Sequence, residues 1–385
     1  MPVLSRQFLK QKAVPFLFRL RGGKDLWAEQ DLSSYGIEVI PKGEACTVDV
    51  PAVPGVYDGE EDILPAMKAD FNHRFVFKLD YATHGDCVRR WGAIVLPGGR
   101  ALQTGINHHT PRLAAIYPRP WGWKRREDLI VAPWPHGFMS YGDFCMCVMP
   151  RLCRALSVLS PQERAVACVA LPFSRGQWAR EYVEVLGVPR ERQIDTLSEN
   201  FGLTCRGVAV TLNAQSGFLA HPGDFADLWN LMPSASRRQS RKRYLIQRKG
   251  SRALQHEKEL FDSISDLGFE ILEDVPRTVR EQIELFRDVQ CVAGSHGAGL
   301  SNILWGASPA GLMEILGISW VMPTFRILCA LRHAPYRALL DRTAGGEIRL
   351  EENANLAPLQ ADTESFARSV RQLCADVENN WTPNP

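Results

Sequence analysis

Cys291–Asn302 reads CVAGSHGAGLSN. Apolar and small residues run into a histidine set among glycines, and a helical-looking segment follows. A short apolar run of this kind suits a strand buried on both faces. The small residues after it mark a tight hand-over, and a helix is predicted over 298–306. Outward from this point the pattern repeats. RYLIQ (243–247) is a strand, and HEKELFDSISDLG (256–268) is an amphipathic helix closed by glycine. FEILED (269–274) is a strand, and TVREQIELFRDV (278–289) is a helix with apolar residues at Val279, Ile283 and Phe286. QCVAG (290–294) and GLMEIL (311–316) are further strands, and MPTFRILCALRH (322–333) is another helix. Such alternation predicts right-handed crossovers and a parallel sheet.

Upstream, a second alternating series is predicted. LIVAP (129–133) is a strand, YGDFCMCVMPRLCRALSVL (141–159) a helix, AVACVALP (165–172) a strand and SRGQWAREYVEVLG (174–187) a helix, with RQIDTL and VAVTL extended. The first third is rich in Pro, Trp and Gly, and GAIVLPGGRALQTG (92–105) reads as a hairpin around Pro-Gly-Gly. SASRRQSRKR (234–243) is polar, basic and without apolar periodicity, hence a solvated linker. A chain of 385 residues exceeds one ordinary core. The expected organisation is an N-terminal α/β domain over 1–236, a C-terminal α/β domain over 237–360, and a helix over 361–385 packing back across the domains.

Composition narrows the function classes. Apolar residues make up 45% and charged residues 23%, as in a globular protein, and the net charge is only +2. No global field recruits nucleic acid, and the basic linker lacks the interleaved aromatics of a nucleic-acid surface. The ten cysteines lack Cys-x-x-Cys spacing and sit in apolar runs such as FCMCVM, so reduced core thiols are expected. MPVLSRQFLKQKAVPFLFRLRGGK at the start has neither the apolar core of a signal peptide nor the length of a membrane span. It is read as a strand or loop, or as a weak contact with an anionic membrane.

At the mouth of the second sheet the residue types suit an anion. Small residues at Ser295, Gly297, Ala298 and Gly299 let a ligand approach the backbone, and amides at a helix start favour phosphate. His296 is either a donor to a diphosphate oxygen or a plain turn residue. Arg248, Lys249 and Arg252 follow the first strand of the same domain and can reach the same crevice. Glu314, inside the apolar run LMEIL, is either a ligand for paired ribose hydroxyls or half of a structural salt bridge.

These residues, taken in order, resemble the glycosyltransferase family 61 domain. Arg248, Arg252, Glu257, Gln282, His296-Gly297-Ala298-Gly299, Asn302 and Glu314 stand at the family's motif positions, and His256 stands where an asparagine is usual. The resemblance is close over about 243–316 and looser over about 129–222, where it rests on ALPFSRGQWAREYVEVLGV and YGDFCMCVMPRL. It implies a GT-B type fold, two Rossmann-like domains facing across a cleft. It also implies inverting, metal-independent transfer of a sugar from a nucleotide donor, usually UDP-linked, to a hydroxyl of a glycan or lipid-linked acceptor, with no cofactor. The donor site implied is Arg248, Arg252, Gln282, Ser295, His296, Gly297, Ala298, Gly299, Asn302 and Glu314. The setting implied is bacterial surface polysaccharide synthesis, in the cytoplasm or at the inner face of the membrane.

Inversion needs a base beside the acceptor hydroxyl. The family carries a histidine, and an acidic residue four positions later, on a helix of the first domain. Here Asp143 and Cys147 stand at those positions. Asp143 is expected as the base, or as a first-turn helix charge, and His136 is the second candidate base. Cys147 is read as packing. His108 and His109 are candidates for an acceptor groove or a surface loop. Trp121, Trp123, Trp134 and Tyr141 are an acceptor platform or ordinary aromatic packing. Two rival functions stand beside the transferase: a pyruvyl-transferase-like enzyme, and a binding module without catalysis.

Overall fold

The computed structural model describes residues 13–26, 32–57, 59–80, 88–96, 98–103, 109–116, 124–125, 129–133, 140–197, 202–204, 207–213, 219–232, 242–306, 310–318, 321–341 and 357–380. Two compact units emerge: Met1–Cys46 with Asp70–Pro233, and Thr47–Ala69 with Ser234–Pro385.

In the first unit, six strands form one sheet: β1 (Ile37–Gly43), β2 (Arg74–Asp80), β3 (Leu129–Val131), β4 (Cys168–Leu171), β5 (Gln193–Asp195) and β6 (Gly207–Asn213), in the order β5-β4-β3-β6-β2-β1. The pairs from β5 to β6 are parallel, whereas β2 runs antiparallel to both β6 and β1. Ile130, Ala132, Cys168, Ala170, Phe77 and Leu79 pack into one core. The predicted hairpin is present as Val95–Leu96 against Arg100–Leu102, with Gly98 and Gly99 at φ 75° and 70°. Two successive positive φ values are what a tight hairpin turn demands and glycine supplies.

The helix after β3, α1, enters at Tyr141–Asp143, passes through a π segment at Phe144–Val148 and ends in Met149–Ser157. The sequence predicts an unbroken α-helix here; the π segment inserts a widened turn instead. Helix α2 (Gln177–Val185) ends before Gly187, at φ 85°, and α3 (Pro222–Leu231) starts at His221. Asp224 in α3 is fully buried and accepts from Arg154 Nε at 2.7 Å and Arg74 Nη1 at 3.0 Å. Those pairings tie α3, α1 and β2 together.

The second unit holds five parallel strands, β7 (Lys242–Ile246), β8 (Phe269–Leu272), β9 (Val289–Ser295), β10 (Gly311–Gly317) and β11 (Tyr336–Asp341), in the order β8-β7-β9-β10-β11. The mixed α/β architecture with parallel sheets therefore agrees with the sequence pattern. Every residue of β9 is buried, which explains why its sequence shows no polar alternation. Helices α4 (Glu257–Asp262), α5 (Val279–Arg287) and α6 (Thr324–Leu331) connect the strands. The glycine predicted to close the first helical stretch, Gly268, adopts φ 73°. Thr278 and Glu281 form a reciprocal capping box at the start of α5.

Helix α7 (Thr363–Asn380) packs on the sheet of its own unit, its Phe366, Val370, Leu373 and Val377 sharing a core with Cys291, Ala293, Met313 and Ile315. Residues 47–69 group with this unit for a physical reason. Val53 and Leu64 pack with Leu316, Val321 and Ala338, while Arg326 donates to the carbonyl oxygens of Pro51 and Pro65.

Candidate active site

In the second unit the chain leaves β7 towards β8 on one side and later returns to β9 on the other. This reversal opens a crevice outside the carboxyl ends of β7 and β9, where open parallel sheets take their ligands. The two loops that begin there carry Arg248 and His296. Arg248 joins them: its Nη1 donates to His296 O at 3.0 Å, and its Nε donates to Ser251 O at 2.6 Å. Gly297 is required by this contact. A Cβ on Gly297 would lie 1.6 Å from Arg248 Nη1, although its φ of 172° is ordinary extended backbone. Gly299 is different, since a Cβ there meets only ordinary contact, 3.6 Å from Ile246.

His296 is held from behind. Its amide continues the β9–β10 ladder by donating to Ile315 O at 2.9 Å. Its Nδ1 lies 2.5 Å from Glu314 Oε1, and Tyr336 donates its hydroxyl to Glu314 Oε2 at 2.6 Å. A carboxylate only accepts, so Nδ1 is the donor in this pair. Glu314 has no exposed surface, and both its oxygens are engaged within the protein. Of the two sequence readings, pairing with His296 is the one observed. The Phe325 ring, 5.5 Å from the imidazole, closes another side. Burial, then the Glu314 charge, pushes the Tyr336 hydroxyl well above its ordinary range, so it stays a donor.

The electrostatics of the crevice are cationic. Burial, and then neighbouring Arg248, pull Arg252 down to about 10, with Glu314 partly opposing. Arg248 is lowered too, by burial, with Asp274 opposing. Two guanidiniums held within each other's field, both partly desolvated, make a place where an anion is favoured. Arg252 also sits at φ 60°, a costly backbone region for a residue with a side chain.

The segment after His296 differs in kind from the sequence expectation. Ala298–Trp305 is a 3-10 helix rather than an α-helix. Its first intrahelical bond runs from Leu300 N to Gly297 O at 3.0 Å, so the amides of Gly297, Ala298 and Gly299 are not used by the helix. Gly299 itself is exposed. Ser295, at the end of β9, is buried, and its hydroxyl has no hydrogen-bond partner among the described residues.

Gln282 and Asn302 are brought together, but with each other. Asn302 Nδ2 donates to Gln282 Oε1 at 3.1 Å, Trp305 Nε1 donates to Asn302 Oδ1 at 3.1 Å, and Gln282 Nε2 donates to Arg277 O at 3.3 Å. This chain of contacts ties α5 to the 3-10 helix. Glu257 likewise holds Gln247, the residue before Arg248, at 2.8 Å. His256, at φ 52°, occupies the left-handed region that residues with a side chain seldom adopt. Two side chains important to the site gave no sequence signal. Tyr336 opens β11, a strand that the sequence pattern did not mark out. Arg332 follows α6 and donates to Ile303 O, Leu304 O and Gly306 O, binding the far end of the 3-10 helix.

In the first unit, Ser140 and Asp143 form a capping box: Ser140 N donates to Asp143 Oδ2 at 3.0 Å, and Asp143 N to Ser140 Oγ at 3.1 Å. Asp143 is half-buried, whereas Cys147 is wholly buried and pushed up to about 12, mainly by burial, with Arg151 opposing. The sequence placed these two on one α-helical face; the π segment beginning at Phe144 breaks that spacing. Tyr141 packs against Trp178 and Tyr182, and its hydroxyl bonds that of Tyr182. His136, His108, Trp121, Trp123 and Trp134 lie outside the described residues, and of His109 only the backbone, at the start of helix His109–Ile116, is described.

Residues 113–313 match the family model described as Glycosyltransferase 61, a span that includes Asp143 and the crevice up to β10. No curated protein matches the chain.

Proposed function

The chain belongs to glycosyltransferase family 61, and on that premise we propose that its second unit binds the nucleotide-sugar donor at the β7/β9 crevice. The observation that carries this reading is the bridge from Arg248 to His296 O, against Gly297, at the reversal of strand order. A donor diphosphate there would face the Arg248 and Arg252 guanidiniums, the amides of Gly297, Ala298 and Gly299, the Ser295 hydroxyl and His296 Nε2. Charge developing on the leaving diphosphate is stabilised by such preorganised donors, and Glu314 stabilises the imidazolium form of His296, whose Nε2–H donates to that charge. Gln282 and Asn302 serve by holding the 3-10 helix.

In this reading the enzyme is inverting and metal-independent, with two Rossmann-like domains on the GT-B plan, and its donor is UDP-linked. The first unit takes a hydroxyl of a glycan or lipid-linked acceptor. Asp143 or His136 removes the proton as the new glycosidic bond forms and the nucleoside diphosphate leaves. The setting is polysaccharide synthesis, in the cytoplasm or peripherally at the inner face of a membrane. One observation favours a second reading, a nucleotide-sugar-binding module without transfer: the Asp143 carboxylate is already engaged by Ser140 N.

A thermal-shift titration with UDP, phosphoenolpyruvate and a panel of nucleotide sugars tests the donor site. Stabilisation by UDP that His296→Ala and Arg248→Ala abolish is expected. Stabilisation by phosphoenolpyruvate alone would transfer the reading to pyruvyl chemistry. Activity lost in EDTA and restored by Mn²⁺ would overturn the metal-free assignment.

A further inference from the structure

Far from the crevice in sequence, the short helix Val14–Leu20 shows an inverted distribution of apolar residues. Val14 and Phe18, four residues apart, are buried on the protein side. Phe16, Leu17 and Leu20 form the opposite stripe and are exposed by 66%, 43% and 71%. Among the described residues only Val166, Ile271 and Val275 are other large apolar side chains exposed to a comparable degree, and they are scattered. Three adjacent side chains of this size on one helix face are unusual for a surface that meets only water.

The charge around the stripe is one-sided. Arg19, Arg21 and Lys24 are exposed beside it. Residues 1–24 hold six of the chain's 45 Lys and Arg residues and none of its 43 Asp and Glu residues. The first acid, Asp25, is neutralised by Arg112 at 2.6 Å. No helix among the described residues is long and apolar enough to cross a membrane.

We propose that the Phe16–Leu17–Leu20 stripe, with Arg19, Arg21 and Lys24, is a docking surface for an anionic lipid bilayer. The aromatic and leucine side chains enter the boundary between headgroups and acyl chains, and the cations meet the negative surface. An apolar stripe alone would equally suit a second copy of the chain. The concentration of cations without acids selects the lipid, because two copies would bring like charges together. This surface gives a lipid-linked acceptor a short path to the enzyme, and in that respect it deepens the proposed function. Its test is independent of the donor site.

The experiment is co-sedimentation of the full chain with vesicles of phosphatidylglycerol and phosphatidylcholine, beside vesicles of phosphatidylcholine alone. Binding to the anionic vesicles only, weakening as salt rises, is expected. Phe16→Ser with Leu20→Ser, and separately Arg19→Glu with Lys24→Glu, should each lower the partition coefficient at least tenfold. All four positions are exposed, so the melting temperature and UDP stabilisation should stay unchanged, which separates failure here from failure of the donor site. Absence of binding, or equal binding by both variants and the parent, overturns the proposal. So does a concentration-dependent dimer, seen by sedimentation, that Phe16→Ser with Leu20→Ser dissolves.

Discussion

Replacing Gly297 by alanine tests the geometry of the crevice most directly. The backbone at Gly297 is extended, with φ 172°, so alanine brings no conformational strain. Its methyl would instead occupy the place of Arg248 Nη1, 1.6 Å away. The neighbouring backbone is pinned by His296 N to Ile315 O at 2.9 Å, so the guanidinium is the group that yields. It then loses its bond to His296 O at 3.0 Å and its aim into the crevice. A hydrogen bond to a charged group contributes about 1.5–3 kcal/mol, equivalent to about 10- to 100-fold in UDP affinity. Because the methyl acts through Arg248, the effects of Gly297→Ala and Arg248→Ala should not add. Isothermal titration of UDP into the parent, both single variants and the double variant measures this. Gly297→Ala is expected to cost close to nothing once Arg248 is alanine. A full additive loss in the double variant, or a Gly297→Ala protein that binds UDP like the parent, would refute the reasoning.

Other consequences follow from named contacts. Tyr336→Phe leaves Glu314 Oε2 without its donor in a buried site and should destabilise the fold by about 1–3 kcal/mol, read by chemical denaturation. Glu314→Gln removes the charge behind His296 and should lower kcat more than it weakens UDP binding; a parent-like kcat would remove Glu314 from the mechanism. Asp143→Asn keeps the capping geometry, so transfer should be lost while the melting temperature and donor binding hold; full activity would pass the base role to His136. Asp224→Ala strands the buried Arg154 and should cost about 3–5 kcal/mol. Burial alone would raise the Asp224 carboxyl, but Arg154, with Arg151 and Arg74, holds it below its ordinary value. A depressed folded pKa stabilises above the unfolded value, near 4, and that stability is lost as pH falls through the folded one. The gap in melting temperature between Asp224→Ala and the parent should therefore shrink on acidification below about pH 4.

Local pattern carried a good deal of this protein. Apolar runs at Cys291–Gly294 and Leu312–Leu316, separated by helical periodicities, determine parallel strands, because strands covered on both faces have no polar side to display. Gly268 and the Gly98-Gly99 pair mark their turns through backbone conformations that glycine adopts freely. The spaced motif from Arg248 to Glu314 identified the family. What sequence could not decide were matters of partner choice. Glu314 reads by its sequence first as a ribose ligand and second as half of a buried salt bridge, until the register of β9 and β10 puts it behind His296 and β11 brings in Tyr336. Gln282 and Asn302 read as ligands, yet they meet each other across two elements. The π segment after Asp143 and the attachment of Thr47–Ala69 to the second unit were also out of reach. Periodicity is a property of neighbours along the chain, whereas hydrogen-bond partners are selected by contacts between distant segments that exist only once the sheet has assembled.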